Sequence, residues 1–155
     1  MKIVRTTAKV MGELYGTLFV EIFGKWEPHH VPDHVWLFTE DDDSNIMGFA
    51  SGCETGPDEI FLQWGGCRPE YRNAKIKKRL KQVKDHLHER YKYISTTVEN
   101  SNLSMLRLYL SIGYLIHGIH YSTDRKTYVE LISTKGVIRW QQHDQIYPTA
   151  QSWPT

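Results

Sequence analysis

In residues 74–91 the apolar side chains Ile76, Leu80, Val83, Leu87 and Tyr91 return at helical spacing, while Lys77, Lys78, Lys81, Lys84 and Arg90 fall on other faces. No other stretch limits the fold as much, because a helix with one apolar stripe must bury it against another layer. The flanking segments can supply that layer. Residues 59–67 and 93–98 are rich in aromatic and aliphatic residues and read as strands. Gly65-Gly66 in the first of them implies a bulge or a close backbone approach.

The remaining elements fit the same order. Residues 8–23 space Val10, Met11, Leu14, Leu18 and Ile22 as an amphipathic helix, with Thr6 or Thr7 available as a cap. Pro28 and Pro32 bound a loop that carries His29, His30 and, just after it, His34. Two short apolar runs, 35–38 and 46–53, flank a turn-forming Asp41-Asp42-Asp43-Ser44-Asn45 and predict a hairpin. A short helix at 103–112 is stopped by Gly113, and strands follow at 115–122 and 127–132. Helix, strands, helix, strand, helix, strands is a mixed α/β pattern.

At 155 residues the chain has the length of one domain with a core of its own. We read that domain as residues 1–134. Residues 135–155 keep no period and form an irregular tail whose Trp140, Tyr147 and Trp153 imply docking, on the same domain or on a second copy. A homodimer therefore stays open. The formal charge of +1 gives no global pull toward nucleic acid or an acidic membrane. The basic run Arg72, Lys75, Lys77, Lys78, Arg79, Lys81 and Lys84 would have to act locally to hold a nucleic acid. The N-terminal residues lack the apolar stretch of a signal peptide, and no run approaches the ~20 apolar residues of a membrane helix. Cys53 and Cys67 are too few for a disulfide framework, which fits a reducing cytoplasm. No spacing among the eight histidines implies a metal site.

Two segments carry chemistry. In Cys67-Arg68-Pro69-Glu70-Tyr71-Arg72-Asn73-Ala74-Lys75-Ile76-Lys77-Lys78-Arg79-Leu80 a strand ends, turns tightly and opens the basic helix. In Asn102-Leu103-Ser104-Met105-Leu106-Arg107-Leu108-Tyr109-Leu110-Ser111-Ile112-Gly113-Tyr114 a helix follows the strand that ends at Val98-Glu99. Read on residue type alone, Tyr109 is either a core aromatic or a proton donor, and Asn102 is a helix cap, a ligand contact or both.

Together, in this order and across residues 59–132, the segments resemble the GNAT superfamily of N-acetyltransferases. That family has an apolar strand end, a Pro-Glu-Tyr-Arg-like turn and a glycine-rich loop opening a helix, then an Asn, Leu-Tyr and Gly-aromatic pattern. The resemblance implies a three-layer α/β (α+β mixed) fold, with a central mixed, mostly antiparallel sheet of about six to seven strands flanked by helices. It implies acetyl-CoA as acetyl donor and an amine acceptor, either a small molecule or a protein. The donor would lie along Trp64, Gly65, Gly66 and Cys67 of the strand. Its diphosphate would sit on Arg72, Asn73, Ala74, Lys75, Ile76, Lys77 and Lys78, where unpaired amides and the helix dipole gather. Asn102 would touch the pantetheine arm and Tyr109 would protonate the departing sulfur. A carboxylate near the strand start would take the amine proton, with Glu59 the first candidate and Glu54 the second. Cys67 lacks a histidine partner placed by any motif, so covalent catalysis is not expected.

The chain departs from the family at two positions. Lys75 stands where the family has glycine, and Lys77 where it has glycine or alanine, so the pyrophosphate loop is degenerate. Lysine brings bulk where close backbone approach is usual, or adds charge toward a phosphate. The alternative function is accordingly a catalytically inactive GNAT-fold protein that binds or interacts.

Overall fold

The computed structural model of the chain describes residues 1–26, 31–41 and 45–136. The elements in order are β1 (Lys2–Thr6), α1 (Ala8–Met11), α2 (Glu13–Phe23), β2 (His34–Thr39), β3 (Ile46–Gly56), β4 (Glu59–Cys67), α3 (Ile76–Leu87), β5 (Tyr93–Glu99), α4 (Leu103–Ser111), β6 (Leu115–Tyr121) and β7 (Thr127–Thr134), with a short 3-10 turn at Pro69–Tyr71. The seven strands form one sheet in the order β1-β2-β3-β4-β5-β7-β6. Every neighbouring pair is antiparallel except β4 and β5, which run parallel because α3 carries the chain back across the sheet. The expected mixed, mostly antiparallel sheet is therefore present.

Two apolar clusters, one on each face, make three layers. On one face Ile60, Leu62, Ile94, Val98, Val129 and Leu131 of the sheet pack with Val83 and Leu87 of α3, and Met105, Leu106 and Tyr109 of α4 pack against them. On the other face Tyr15, Leu18, Phe19 and Ile22 of α2 pack on Val35 and Phe49. Strand alternation is what separates the two sets, since successive residues point to opposite faces. Among the described residues no helix is long and apolar enough to cross a membrane.

Three departures from the sequence reading have clear causes. The N-terminal residues form β1, paired with β2 from Lys2↔Thr39 to Thr6↔Val35. Only three side chains of β1 or fewer can face any core, so it carries no apolar period to read. The first helix is broken at Gly12, whose φ of 56° leaves the helical region. Thr7 caps the first piece by accepting from the Val10 amide. The break rotates the buried stripe to Tyr15, Leu18, Phe19 and Ile22, leaving Val10 and Leu14 exposed. Third, the irregularity in β4 is not at the paired glycines. Ser51 faces Trp64 and Gly52 faces Leu62, so Gln63 is the extra residue of a β-bulge. Gly66 serves close approach instead: a Cβ there would lie 2.6 Å from Ile22 Cγ2 of α2.

The histidine loop residues His29 and His30, most of the hairpin turn, and the tail aromatics Trp140, Tyr147 and Trp153 lie outside the described residues.

Candidate functional site

The site is set by where β4 and β5 part. Their parallel register runs Glu59↔Tyr93, Ile60↔Ile94, Phe61↔Ser95 and Leu62↔Thr96, and ends there. Beyond that rung β4 stays on β3, from Ser51↔Trp64 to Gly48↔Cys67, while β5 stays on β7, from Thr97↔Glu130 to Glu99↔Tyr128. Gln63 is the first residue past the last rung and is also the bulge. An extra residue bends a strand and increases its local twist, so the bulge turns β4 away from β5 at that point. A cleft opens in the middle of the sheet.

Backbone polarity in the cleft follows from alternation. The Arg68 amide donates to the Met47 carbonyl of β3 at 2.8 Å. Backbone groups of alternate residues share a side, so those of Gly66 and Trp64 face β3, and those of Cys67 and Gly65 face the gap that β5 has left. The Cys67 carbonyl accepts from Arg72 Nε at 2.9 Å on that side. Burial pushes the Cys67 thiol up from its ordinary pKa, which disfavours the nucleophilic thiolate. The Trp64 ring turns to the α2 face, edge-on to Phe19 at 5.0 Å, and its buried indole N–H has no partner among the described residues.

At the apex stands Tyr109. The α4 helix begins at Asn102, whose side chain accepts from the Met105 amide at 3.2 Å, and delivers Tyr109 two turns later onto the sheet. Its hydroxyl bonds the side chain of Thr96, which itself donates to the Leu62 carbonyl at 3.0 Å. Thr96 and Leu62 are the last rung before the cleft, so the phenol sits at the branching point. Burial raises its pKa above the ordinary value and the Thr96 bond partly offsets this, which keeps the hydroxyl protonated through neutral pH. The Tyr114 ring, 4.8 Å away and edge-on, fixes the Tyr109 ring from behind. Thr96 was missed in the sequence; a buried polar residue in an otherwise apolar half of a strand was the available signal.

The segment that opens α3 closes around its own side chains first. Asn73 accepts from the Lys75 amide at 3.0 Å through its side chain and from the Ile76 amide at 2.9 Å through its carbonyl. The amides of Ala74, Lys77 and Lys78 find no acceptor among the described residues. They are the orphan donors expected at a helix start. Lys75 has φ −82° and ψ −5°, an ordinary helical conformation, so lysine there costs no backbone strain. None of Lys75, Lys77 and Lys78 pairs with a carboxylate among the described residues. Arg72 differs: it spans Cys67 and the Ile22 carbonyl at 2.5 Å, fastening the turn to α2. Arg79 holds the Tyr71 carbonyl at 2.9 Å. The cationic side chains here that make no bond among the described residues are therefore the three lysines.

The two base candidates are placed apart from this apex. Glu59 stands three residues before the last rung, roughly 10 Å along the strand. It accepts from Thr55 at 3.5 Å in the β3–β4 turn. Glu54 accepts from the Tyr91 hydroxyl at 2.7 Å and from Arg90 at 2.9 Å, and the first of these bonds, with Arg90, holds its pKa below the ordinary carboxylate value. That makes Glu54 a weak base and a tie between β3 and the end of α3. A separate recess of about 350 Å³ lies between α1, α2, Trp26 and Val31.

A model described as the acetyltransferase (GNAT) family matches residues 3–114. No curated protein matches the chain in sequence. Among solved structures, a chimera of the spermidine N-acetyltransferase from Vibrio cholerae with hSSAT is similar at 11% identity and TM-score 0.68, over 86% of this chain and 96% of its own. The ribosomal-protein-S18-alanine N-acetyltransferase from Escherichia coli is similar at 17% identity and TM-score 0.64, over 89% and 97%. A putative streptothricin acetyltransferase from Bacillus anthracis, in complex with acetyl coenzyme A, is similar at 14% identity and TM-score 0.56, over 70% and 65%. At these identities the likeness is one of fold.

Proposed function

The chain belongs to the acetyltransferase (GNAT) family, and from that premise we propose that it carries an acetyl group from acetyl-CoA to the primary amine of a small molecule or protein. The observation that carries the reading is the parting of β4 from β5 with a protonated phenol at its apex. A crevice between parted strands suits an extended arm, and the groups it offers suit a thioester.

In this reading the Gly65 and Cys67 backbones line the arm, with Trp64 and Gly66 holding the strand against α2 and β3. The amides of Ala74, Lys77 and Lys78 and the ammonium groups of Lys75, Lys77 and Lys78 take the diphosphate at the start of α3, while Arg72, Asn73 and Ile76 keep the turn in shape. Asn102 fixes the start of α4 beside the arm. Acetyl-CoA supplies an activated acyl group whose C–S bond breaks as the N–C bond forms. Tyr109 gives its proton to the sulfur, and the cleft holds amine and thioester together, which is worth more than any single group. Glu59 enters as a base acting across water, given its distance from the apex. Both cysteines are free thiols, so a reducing cytoplasm is the compartment this reading expects. Residues 1–134 form the catalytic domain, with the tail from 135 outside it.

Acetyl-CoA will raise the melting temperature of the protein in a dose-dependent way, because a ligand of the native state alone must do so. Saturating acetyl-CoA with no shift would favour an inactive binding module. Lys75→Ala with Lys77→Ala will weaken the calorimetric Kd for acetyl-CoA about tenfold at low salt and less at high salt, as expected of exposed charges on a diphosphate. An unchanged Kd would remove the lysines from the site.

A further inference from the structure

The two edges of the sheet are β1 and β6. An edge strand presents unpaired amides and carbonyls that another strand can join, and proteins guard such an edge with charged side chains, lysine above all. β1 follows that rule, with Lys2 and Arg5 along its five residues. β6 does not. Its seven residues, Leu115–Tyr121, hold no lysine, arginine, aspartate, glutamate or proline. Among the described residues its backbone pairs with β7 alone.

The register against β7 sorts the side chains of β6. Ile116 faces Leu131 and Ile119 faces Val129, both buried in the cluster that α3 and α4 cover, so these isoleucines point to that face and Tyr121 follows by alternation. They are nevertheless 59%, 67% and 70% exposed, because β6 is the last strand. Leu115, Gly118 and His120 take the opposite face. There His120 Nδ1 lies 2.9 Å from Glu130 Oε1 and the imidazole stacks on Tyr128, so this ring is held by its own sheet. His117 is the extra residue of a register shift, and Gly118–Tyr121 run regularly after it.

We infer that this edge pairs antiparallel with the β6 edge of a second copy of the chain, making one continuous sheet of the two. A twofold axis through Ile119, perpendicular to the sheet, sets Ile119 against Ile119 and Gly118 against His120, so side chains of like face meet. Self-pairing suits these residues: apolar meets apolar, the imidazole meets a glycine, and no charged side chain of β6 is set against its like. The formal net charge of +1 gives little repulsion between copies. A single strand edge covers less than the ~800 Å² per partner of a standard interface, which places the Kd of the dimer at about 10 μM. β7 separates β6 from β5, so the pairing leaves the cleft of each copy uncovered. The inference does not rest on acetyl transfer.

Sedimentation velocity of the full chain, from about 1 to about 200 μM, will show a monomer–dimer equilibrium with that Kd. Ile119→Lys will weaken the dimer on the order of a hundredfold, since two like charges then meet at the axis. Tyr121→Ser will weaken it about tenfold. Val4→Lys, at an exposed position on the β1 edge, will leave it within about twofold. All three positions are exposed, so the variants keep the fold, which circular dichroism checks. A wild-type chain that stays monomeric throughout overturns the inference and leaves the edge to residues 137–155 or to a different protein. A dimer that survives Ile119→Lys, or is lost in Val4→Lys, overturns it as well. No enzyme assay enters, so either failure leaves the acetyl-transfer reading as it was.

Discussion

Replacing Tyr109 by phenylalanine will lower kcat about a hundredfold while leaving the Kd for acetyl-CoA within about twofold. The substitution removes one oxygen from a ring held by Tyr114 and by the core around α4, so the packing survives. What is lost is the protonated phenol at the point where β4 and β5 separate. Burial raises its pKa, so the group is an acid at all pH values below that raised value, and the wild-type enzyme keeps this proton throughout the neutral range. The neighbouring Thr96 hydroxyl is committed to the Leu62 carbonyl and cannot replace it. Single-turnover measurements at saturating acetyl-CoA separate the chemical step from binding. A phenylalanine variant with wild-type kcat would exclude Tyr109 from the reaction.

Gly52→Ala will cost about 3 kcal/mol of stability, the upper part of the range for forced overpacking, and lower Tm by about 10 °C. A Cβ at residue 52 would lie 2.1 Å from the Phe61 carbonyl oxygen and 3.1 Å from the Leu62 Cα. Both atoms belong to the backbone, so no rotamer change relieves the clash. Either β3 or β4 has to move, and Leu62 is half of the last rung that β4 shares with β5. The loss of stability will therefore be accompanied by weaker acetyl-CoA binding, measured by calorimetry below the new melting temperature. A variant within about 2 °C of wild type would show that the two strands yield more easily than their spacing indicates.

The elements that carry the site were legible because their signals are local. The apolar stripe of α3, the cap at Asn102 and the phenol two turns later can each be read within a dozen residues. The early elements were harder. Gly12 sits inside a window that keeps helical spacing on both sides, so its positive φ has no counterpart in the pattern, and only the observed shift of burial from Leu14 to Tyr15 reveals the break. The glycine pair in β4 announced an irregular backbone but not its position, since a bulge is a property of two strands in register and one strand alone does not define it. The same holds for His120 and Glu130. They are ten residues apart, and they meet because His117 adds one residue to β6, a count that becomes meaningful only against β7. For the lysines of the loop, residue type leaves bulk and added charge as alternatives, and the helical φ and ψ of Lys75 add only that its backbone needs no glycine.

The extra residue at Gln63 acts on the sheet as an edge dislocation acts on a crystal. Such a defect is a matter of counting rather than of chemistry, so exchanging side chains around it leaves it where it is. The seam is thereby insulated from most point mutations in its neighbours. That leaves the walls on either side free to change residue by residue while the gap itself persists.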